Sequence, residues 1–169
     1  MSGQPLRLVD LGYELRLLLG ADKIVAFIEA HDNAASSDTD RFGNIVNYFK
    51  DSVYLYSRNL LNAFVEHADT EIGKVPGRIG STAYRNKIKA PLERYVMHLE
   101  SARDQSGKVQ NTLSDGRYLN EYIHDLTAEV RRCWSEWIDS TENQELNDIL
   151  KAADKDAHND CSGLKGLLK

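Results

Sequence analysis

The spacing of apolar residues between Phe42 and His67 constrains the fold of this chain more than any other feature of its sequence. Steps of three and four residues return to the same side of an α-helix, whereas a half-buried β-strand needs strict alternation. This segment therefore predicts one long helix with a continuous apolar stripe. The stripe comprises Phe42, Val46, Phe49, Val53, Tyr56, Leu60, Ala63 and His67.

Similar steps recur in other segments of the chain. The first, from about Pro5 to His31, carries two neighbouring apolar stripes, which predicts contacts with two other helices. Another begins at Leu92, another near Leu119, and a shorter segment follows Thr141. Short connections between such helices favour packing against the next helix in the chain. We therefore predict an all-α fold: an up-and-down four-helix bundle with a shorter C-terminal fifth helix.

A few residues indicate where these helices begin, end or approach one another. Thr141 and Gln144 have the spacing of a capping box, so the fifth helix is predicted to begin there. Gly12 and Gly20 lie inside the first helix, where each costs about 1 kcal/mol relative to alanine. Close packing or a bend is therefore expected at these glycines. The glycine-containing segment from Asp69 to Pro91 is predicted to be a long loop.

Length, cysteine content and hydropathy limit the class of protein. A chain of 169 residues, 41% of them hydrophobic, suits one domain. We assign residues 1–158 to a single helical domain and 159–169 to a C-terminal tail that is flexible or packed on a partner. Cys133 and Cys161 form no C-x-x-C pair, which excludes a zinc ribbon and favours a reduced, cytoplasmic location. No apolar run approaches the roughly 18 residues of a membrane span, so no membrane association is expected.

The formal charge of −5 disfavours a general nucleic-acid coat, but the charge is unevenly distributed. Between Asp139 and Asp160 there are seven acids and two lysines, a net of −5. The segment from Lys74 to Leu92 carries basic residues and no acid, and glycines in such a segment let backbone N–H groups and cationic side chains converge on phosphate. The alternative is a solvated segment whose charge balances the acidic one. The candidate phosphate-binding residues are Lys74, Arg78, Arg85, Lys87 and Lys89.

Arg117 and His124 stand out on the predicted fourth helix. They are seven residues apart, so both lie along one side of the helix, roughly 10 Å apart. Asn120 and Arg131 extend this polar side as candidate RNA contacts. In RNA cleavage by the ribose 2′-OH, an imidazole can transfer the proton and a guanidinium can stabilise the phosphate charge. The alternative is that Arg117 pairs with Glu121 and His124 is an ordinary surface residue.

The stretch Arg117-Tyr-Leu-Asn-Glu-Tyr-Ile-His124 resembles the motif of the HEPN superfamily, whose members are compact all-α bundles. Its ribonuclease members carry an arginine and a histidine separated by a few residues on a late helix, and six residues separate them here. The resemblance covers roughly residues 5–138. It implies a homodimer that binds RNA and cleaves it without metal, with the paired sites at the dimer interface. Such proteins act in bacterial defence or toxin–antitoxin systems, and no cofactor is expected.

Two other features of the sequence bear on function. Glu121 and His124 have the spacing of a di-iron ligand pair, but a matching second pair is missing from the sequence, so no metal is expected. A non-catalytic helical-bundle module for protein–protein interaction remains the alternative. Trp134 and Trp137 are three residues apart, so one is expected at an interface or under the C-terminal helix. Tyrosines expected on exposed surfaces, where they suit protein partners, are Tyr48, Tyr54, Tyr118 and Tyr122.

Overall fold

The structure is a computed structural model that describes residues 4–32, 39–76, 88–97 and 119–167. Within these ranges the chain is almost entirely helical, which confirms the all-α class. A two-stranded antiparallel hairpin follows the second helix, and a 3-10 turn at Leu119–Tyr122 leads into the fourth. The elements are α1 (Leu8–Asp32), α2 (Thr39–Val65), β1 (Asp69–Thr70), β2 (Gly73–Lys74), α3 (Lys89–Met97), α4 (Ile123–Thr141) and α5 (Gln144–Leu167).

The bundle is built from α1, α2, α4 and α5. Helix α1 packs against α2 and α5, and α4 packs against the same two helices. Helices α1 and α2 are antiparallel, because Glu14 near the start of α1 accepts a hydrogen bond from Asn59 near the end of α2. At the other end of the pair, Lys50 lies 2.7 Å from Glu29. Both predicted stripes of α1 are buried except at Leu17, which is half-buried.

Helix α5 is longer than the sequence pattern suggested. It continues to Leu167, so most of the predicted tail at 159–169 is part of this helix. It runs parallel to α1: Ile149 lies against Gly12, and Cys161 lies against the carbonyl of Lys23. The buried residues of α5 are mostly small, and this explains why its apolar pattern looked thin. They are Leu146, Ala153, Ala157 and Cys161.

The two tryptophans of α4 lie together in the core, and the prediction that one of them lies under the C-terminal helix is confirmed for Trp134. Trp134 and Trp137 are 0% and 1% exposed, and their ring centroids are 5.6 Å apart. Phe64 of α2 packs edge-on against both rings, with its ring centroid 6.2 Å from that of Trp134 and 6.0 Å from that of Trp137. Trp134 also lies under α5, where its Nε1 donates a 3.0 Å hydrogen bond to the carbonyl of Leu146. Both rings face inward because α4 packs between α2 and α5.

The expected tyrosine surface is only partly present. Tyr48 is 73% exposed, but Tyr54 and Tyr122 are 3% and 5% exposed and belong to the core. The buried side of α2 is wider than the predicted stripe, and Tyr54 lies on the added part of it beside Leu61. Tyr118 lies outside the described residues.

Part of the predicted loop from Asp69 to Pro91 is a β-hairpin, and its backbone is hydrogen-bonded to the N-terminal residues. Leu6 forms a parallel bridge with Thr70, and its N–H donates to the carbonyl of Asp69. The Glu71 carboxylate accepts a 2.7 Å hydrogen bond from the N–H of Leu8, and a carboxylate at this position also complements the helix dipole. The hairpin therefore fixes the first turn of α1.

Two predicted helix boundaries also differ. Pro91 lies inside the first turn of α3, where its missing N–H costs no helical hydrogen bond. Thr141 ends α4, with its hydroxyl donating to the carbonyl of Trp137. The cap of α5 is instead Asn143, whose side-chain oxygen accepts hydrogen bonds from the N–H groups of Glu145 and Leu146. No helix in the described ranges is long and apolar enough to cross a membrane.

The contact between Gly12 and Ile149 generates a prediction about stability. A Cβ at position 12 would lie 2.8 Å from Ile149 Cγ2, whereas a Cβ at Gly20 would lie 3.8 Å from Asp160 Oδ2. We expect Gly12→Ala to lower the free energy of unfolding by about 1–2 kcal/mol, because overpacking outweighs the gain in helix propensity. Gly20→Ala should raise it by about 0.5–1 kcal/mol.

Urea denaturation of the two variants measures this difference. In an Ile149→Ala background the clash is gone, so Gly12→Ala should then be neutral or stabilising. Equal effects of both glycine substitutions would show that α1 and α5 are not held in close contact at Gly12.

Candidate functional site

His124 lies in the first turn of α4, and two acidic residues of α1 hold its ring. Its Nδ1 is 2.7 Å from Asp22 Oδ1, and its Nε2 is 3.5 Å from Glu29 Oε2. Asp22 and Glu29 are seven residues apart, so they lie two turns apart on one side of α1. The His124 side chain is 48% exposed. One edge of the imidazole therefore remains accessible while its orientation is fixed.

Further charges surround this triad on α2, α4 and α5. Lys50 of α2 lies 2.7 Å from Glu29. Arg131, two turns after His124, forms a paired hydrogen bond with Asp154 of α5, one arm of which measures 3.0 Å. We call the whole set the His124 cluster. It comprises Asp22, Glu29, Lys50, His124, Arg131 and Asp154.

The electrostatic surroundings favour the protonated form of His124. Partial burial acts to lower its pKa, but the hydrogen bonds and charges of Asp22 and Glu29 outweigh that effect, so the pKa is raised above its ordinary value. Burial raises the pKa of Asp22 in spite of the nearby imidazole. Glu29 is partly buried too, yet Lys50 and His124 bring its pKa below the usual value. The two carboxylates thus stabilise the protonated form of His124 relative to the neutral form.

This charge state decides what His124 can do chemically. A protonated imidazole has two N–H donors and no acceptor, so it can give a proton or bind an anion. The Nδ1 proton is committed to Asp22 at a normal hydrogen-bond distance. The distance of 3.5 Å from Nε2 to Glu29 is longer than a normal hydrogen bond, so the Nε2 proton is the one available to an incoming group.

Two other candidate cations, Lys74 and Lys89, lie far from His124. Lys74 lies 3.8 Å from Asp69 in the hairpin, and Lys89 lies 3.1 Å from Glu66 at the end of α2. Glu66 is sixteen residues from Lys50, or about 24 Å along α2, so these lysines are at the opposite end of the bundle. Each of the described candidate cations, including Arg131, is paired with a carboxylate.

Several predicted site residues lie where their side chains are not described. Arg117, Arg78, Arg85 and Lys87 are outside the described residues, so the predicted pairing of Arg117 with His124 stays a prediction. The backbone of Asn120 lies in the 3-10 turn that leads into α4, about one turn before His124.

Two other histidines, His67 and His158, form none of the contacts that the structure describes within the cluster. His67 follows the end of α2 with a left-handed φ of 52°, and its buried Nδ1 has no hydrogen-bond partner. His158 is exposed on α5. In the parts of the chain that the structure describes, no three His, Cys, Asp or Glu side chains come together as a metal site.

Sequence reasoning missed Asp22 and Glu29, although one signal pointed to Asp22. It falls at a core position of α1, four residues after Leu18 and three before Val25, both of which are fully buried. An acid in such a stripe needs a partner, because an unpaired buried charge is costly. The partner comes from α4, about a hundred residues later, so the sequence alone did not identify it.

The comparisons with known proteins add no identification. No protein-family model matches the chain, and no curated protein or solved structure does. The interpretation of the His124 cluster therefore rests on its own geometry.

The raised pKa of His124 predicts a pH-dependent stability. The folded state favours the imidazolium, so its contribution is fully present below the unfolded pKa of about 6.5 and is lost as pH rises through the folded value. Because the ring is half exposed, we expect the loss to be below about 1 kcal/mol. Urea denaturation at pH 6 and pH 8.5 should show a larger loss for the wild type than for His124→Gln.

His158→Gln is the matched control, since it replaces an exposed histidine. Its stability should change with pH as that of the wild type does. If His124→Gln and the wild type lose the same amount, the ion pairs of His124 contribute nothing to folding.

Proposed function

We propose that this chain is a HEPN-like helical dimer that binds RNA and cleaves it without metal, with His124 as the proton-transfer group and Arg117 as the phosphate contact. The observation that carries the proposal is the half-exposed imidazole of His124, oriented by the 2.7 Å contact between Nδ1 and Asp22. A fixed imidazole at an accessible surface is what proton transfer to a bound substrate requires.

The charge state of the cluster assigns His124 the role of general acid. When the 2′-oxygen of a ribose attacks the adjacent phosphorus, the bond from phosphorus to the 5′-oxygen breaks and that oxygen needs a proton. The Nε2–H of His124 supplies this proton, which leaves the imidazole neutral, and the proton of the attacking 2′-OH passes to solvent water. Asp22 acts as a positioning residue, because it contacts the ring through Nδ1 and not the substrate.

Phosphate binding must come from residues outside the described cluster. Asp22 and Glu29 repel a phosphate, and their charges are only partly balanced by Lys50 and Arg131. We therefore assign the phosphate contact to Arg117, with Asn120 beside it. The segment from Lys74 to Lys89 is proposed to contact the RNA backbone further along the strand, as the basic charge and glycines of this segment suggest.

The proposal predicts that His124→Ala and Arg117→Ala each slow RNA cleavage by at least about 100-fold, the usual contribution of a positioned acid or charge-stabilising group. Asp22→Asn should slow it less, because the ring is then less well oriented, and should shift its pH profile to lower pH, because the charge of Asp22 raises the pKa of His124. Cleavage of a labelled single-stranded RNA in the presence of EDTA measures the rates and excludes metal catalysis.

His158→Ala serves as the control and should cleave at the wild-type rate. Light scattering and urea denaturation of each variant show whether a loss of activity comes from a lost dimer or a lost fold. Wild-type cleavage by both the His124→Ala and Arg117→Ala proteins, or cleavage that EDTA abolishes, would contradict the proposal.

A further inference from the structure

An apolar surface lies on the side of α1 that faces away from His124. Val9 and Tyr13 of α1 are 65% and 60% exposed, and Tyr48 of α2 is 73% exposed. Large apolar side chains gathered on one accessible surface are typical of binding sites. We call this surface the α1–α2 apolar face. It comprises Val9, Tyr13, Leu17, Tyr48, Phe49 and Tyr56.

A groove runs through this face where α1, α2 and α5 meet. Leu17 and Ile24 of α1 line it with Phe49 and Tyr56 of α2, and Gly20 leaves its floor open. The cavity has a volume of about 180 Å³. Sites for whole small molecules measure about 300–1,000 Å³. The groove is therefore suited to single apolar side chains that anchor a larger partner.

The spacing of the apolar face suits a helical partner. Val9, Tyr13 and Leu17 follow one another at single turns of α1, and the groove extends this line to Ile24. From Val9 to Ile24 the surface is about 22 Å long, which is the length of about four helical turns. A helix that presents apolar residues at i, i+3, i+4 and i+7 fits such a surface.

The edge of the face that α5 forms is acidic. Asp156 and Asp160 lie 3.4 and 3.8 Å from Arg16, and these are long contacts between exposed side chains. Glu145 lies one turn before Ile149, whose side chain meets Gly12 at the same edge. Three acids therefore stand against one arginine. A partner with positive charge along one side of its apolar stripe complements this edge.

We propose that the α1–α2 apolar face binds an amphipathic helix of another protein, with lysine or arginine on the side of that helix next to α5. This function goes beyond RNA cleavage and uses a separate surface. Tyr13 and Asp22 are nine residues apart, which places them on opposite sides of α1. The partner helix and the His124 cluster therefore do not compete for the same residues.

The proposal is tested with the full chain and two synthetic helical peptides of about 18 residues, or five turns. Both carry leucines at the i, i+3, i+4 and i+7 spacing. One has lysines beside the leucines and the other has glutamates. Fluorescence anisotropy should show that the lysine peptide binds at least tenfold more tightly than the glutamate peptide, and that added salt reduces the difference.

Substitutions separate the two parts of the surface. Tyr13→Ser and Tyr48→Ser change exposed side chains and should each weaken binding of the lysine peptide at least tenfold. Asp156→Asn combined with Asp160→Asn should reduce the preference for the lysine peptide and leave the apolar contact in place. His124→Ala is the control on the opposite side of α1 and should leave peptide binding unchanged.

Three results would overturn the proposal. The two peptides could bind equally well, or Tyr13→Ser and Tyr48→Ser could leave binding unchanged. The third is a lower mass in light scattering for the protein in which Tyr13 and Tyr48 are both replaced by serine than for the wild-type protein. That result would identify a second copy of this chain as the occupant. Tyr13→Ser changes the apolar face and leaves His124 in place. RNA cleavage by this protein therefore tests the proposed ribonuclease function independently of peptide binding.

Discussion

The close contact between α1 and α5 at Gly12 is the constraint on which the rest of the structure depends. Because position 12 has no side chain, Ile149 packs directly against the α1 backbone and fixes α5 alongside α1. The small residues Ala153, Ala157 and Cys161 continue this approach along α5. The same approach brings Asp156 and Asp160 to the edge of the apolar groove and leaves room beneath α5 for the ring of Trp134.

Helix α1 packs against α2 on one side and α5 on another. Its two remaining sides carry polar or exposed residues. Toward α4 it presents Asp22 and Glu29, which hold His124. A partly buried ion pair of this kind adds little net stability, because desolvation offsets the attraction between the charges. It fixes the orientation of the imidazole instead. Toward solvent α1 presents Val9 and Tyr13, whose exposure costs solubility and contributes nothing to the core.

The sequence predicted the parts of the fold that depend on local periodicity. The stripes of α1 and α2 and the core face of α4 are present, and the helical class follows from them. The features it missed depend on which helices become neighbours. Trp134 and Trp137 both enter the core because α4 lies between α2 and α5, and the later part of α5 packs on α1 through small residues such as Ala157 and Cys161. Local spacing carries no information about either arrangement.

The candidate site also has one part that local spacing predicted and one part that depends on the fold. The position of His124 on an accessible side of its helix followed from spacing, but its charge state follows from Asp22 and Glu29, which the fold brings from α1. That charge state limits the chemistry. Stabilisation of the cation increases the fraction of His124 that carries the donatable proton at a given pH, and the carboxylates that stabilise it also repel phosphate. The proposed ribonuclease therefore needs positive charge from residues outside this cluster, a role that we assign to Arg117.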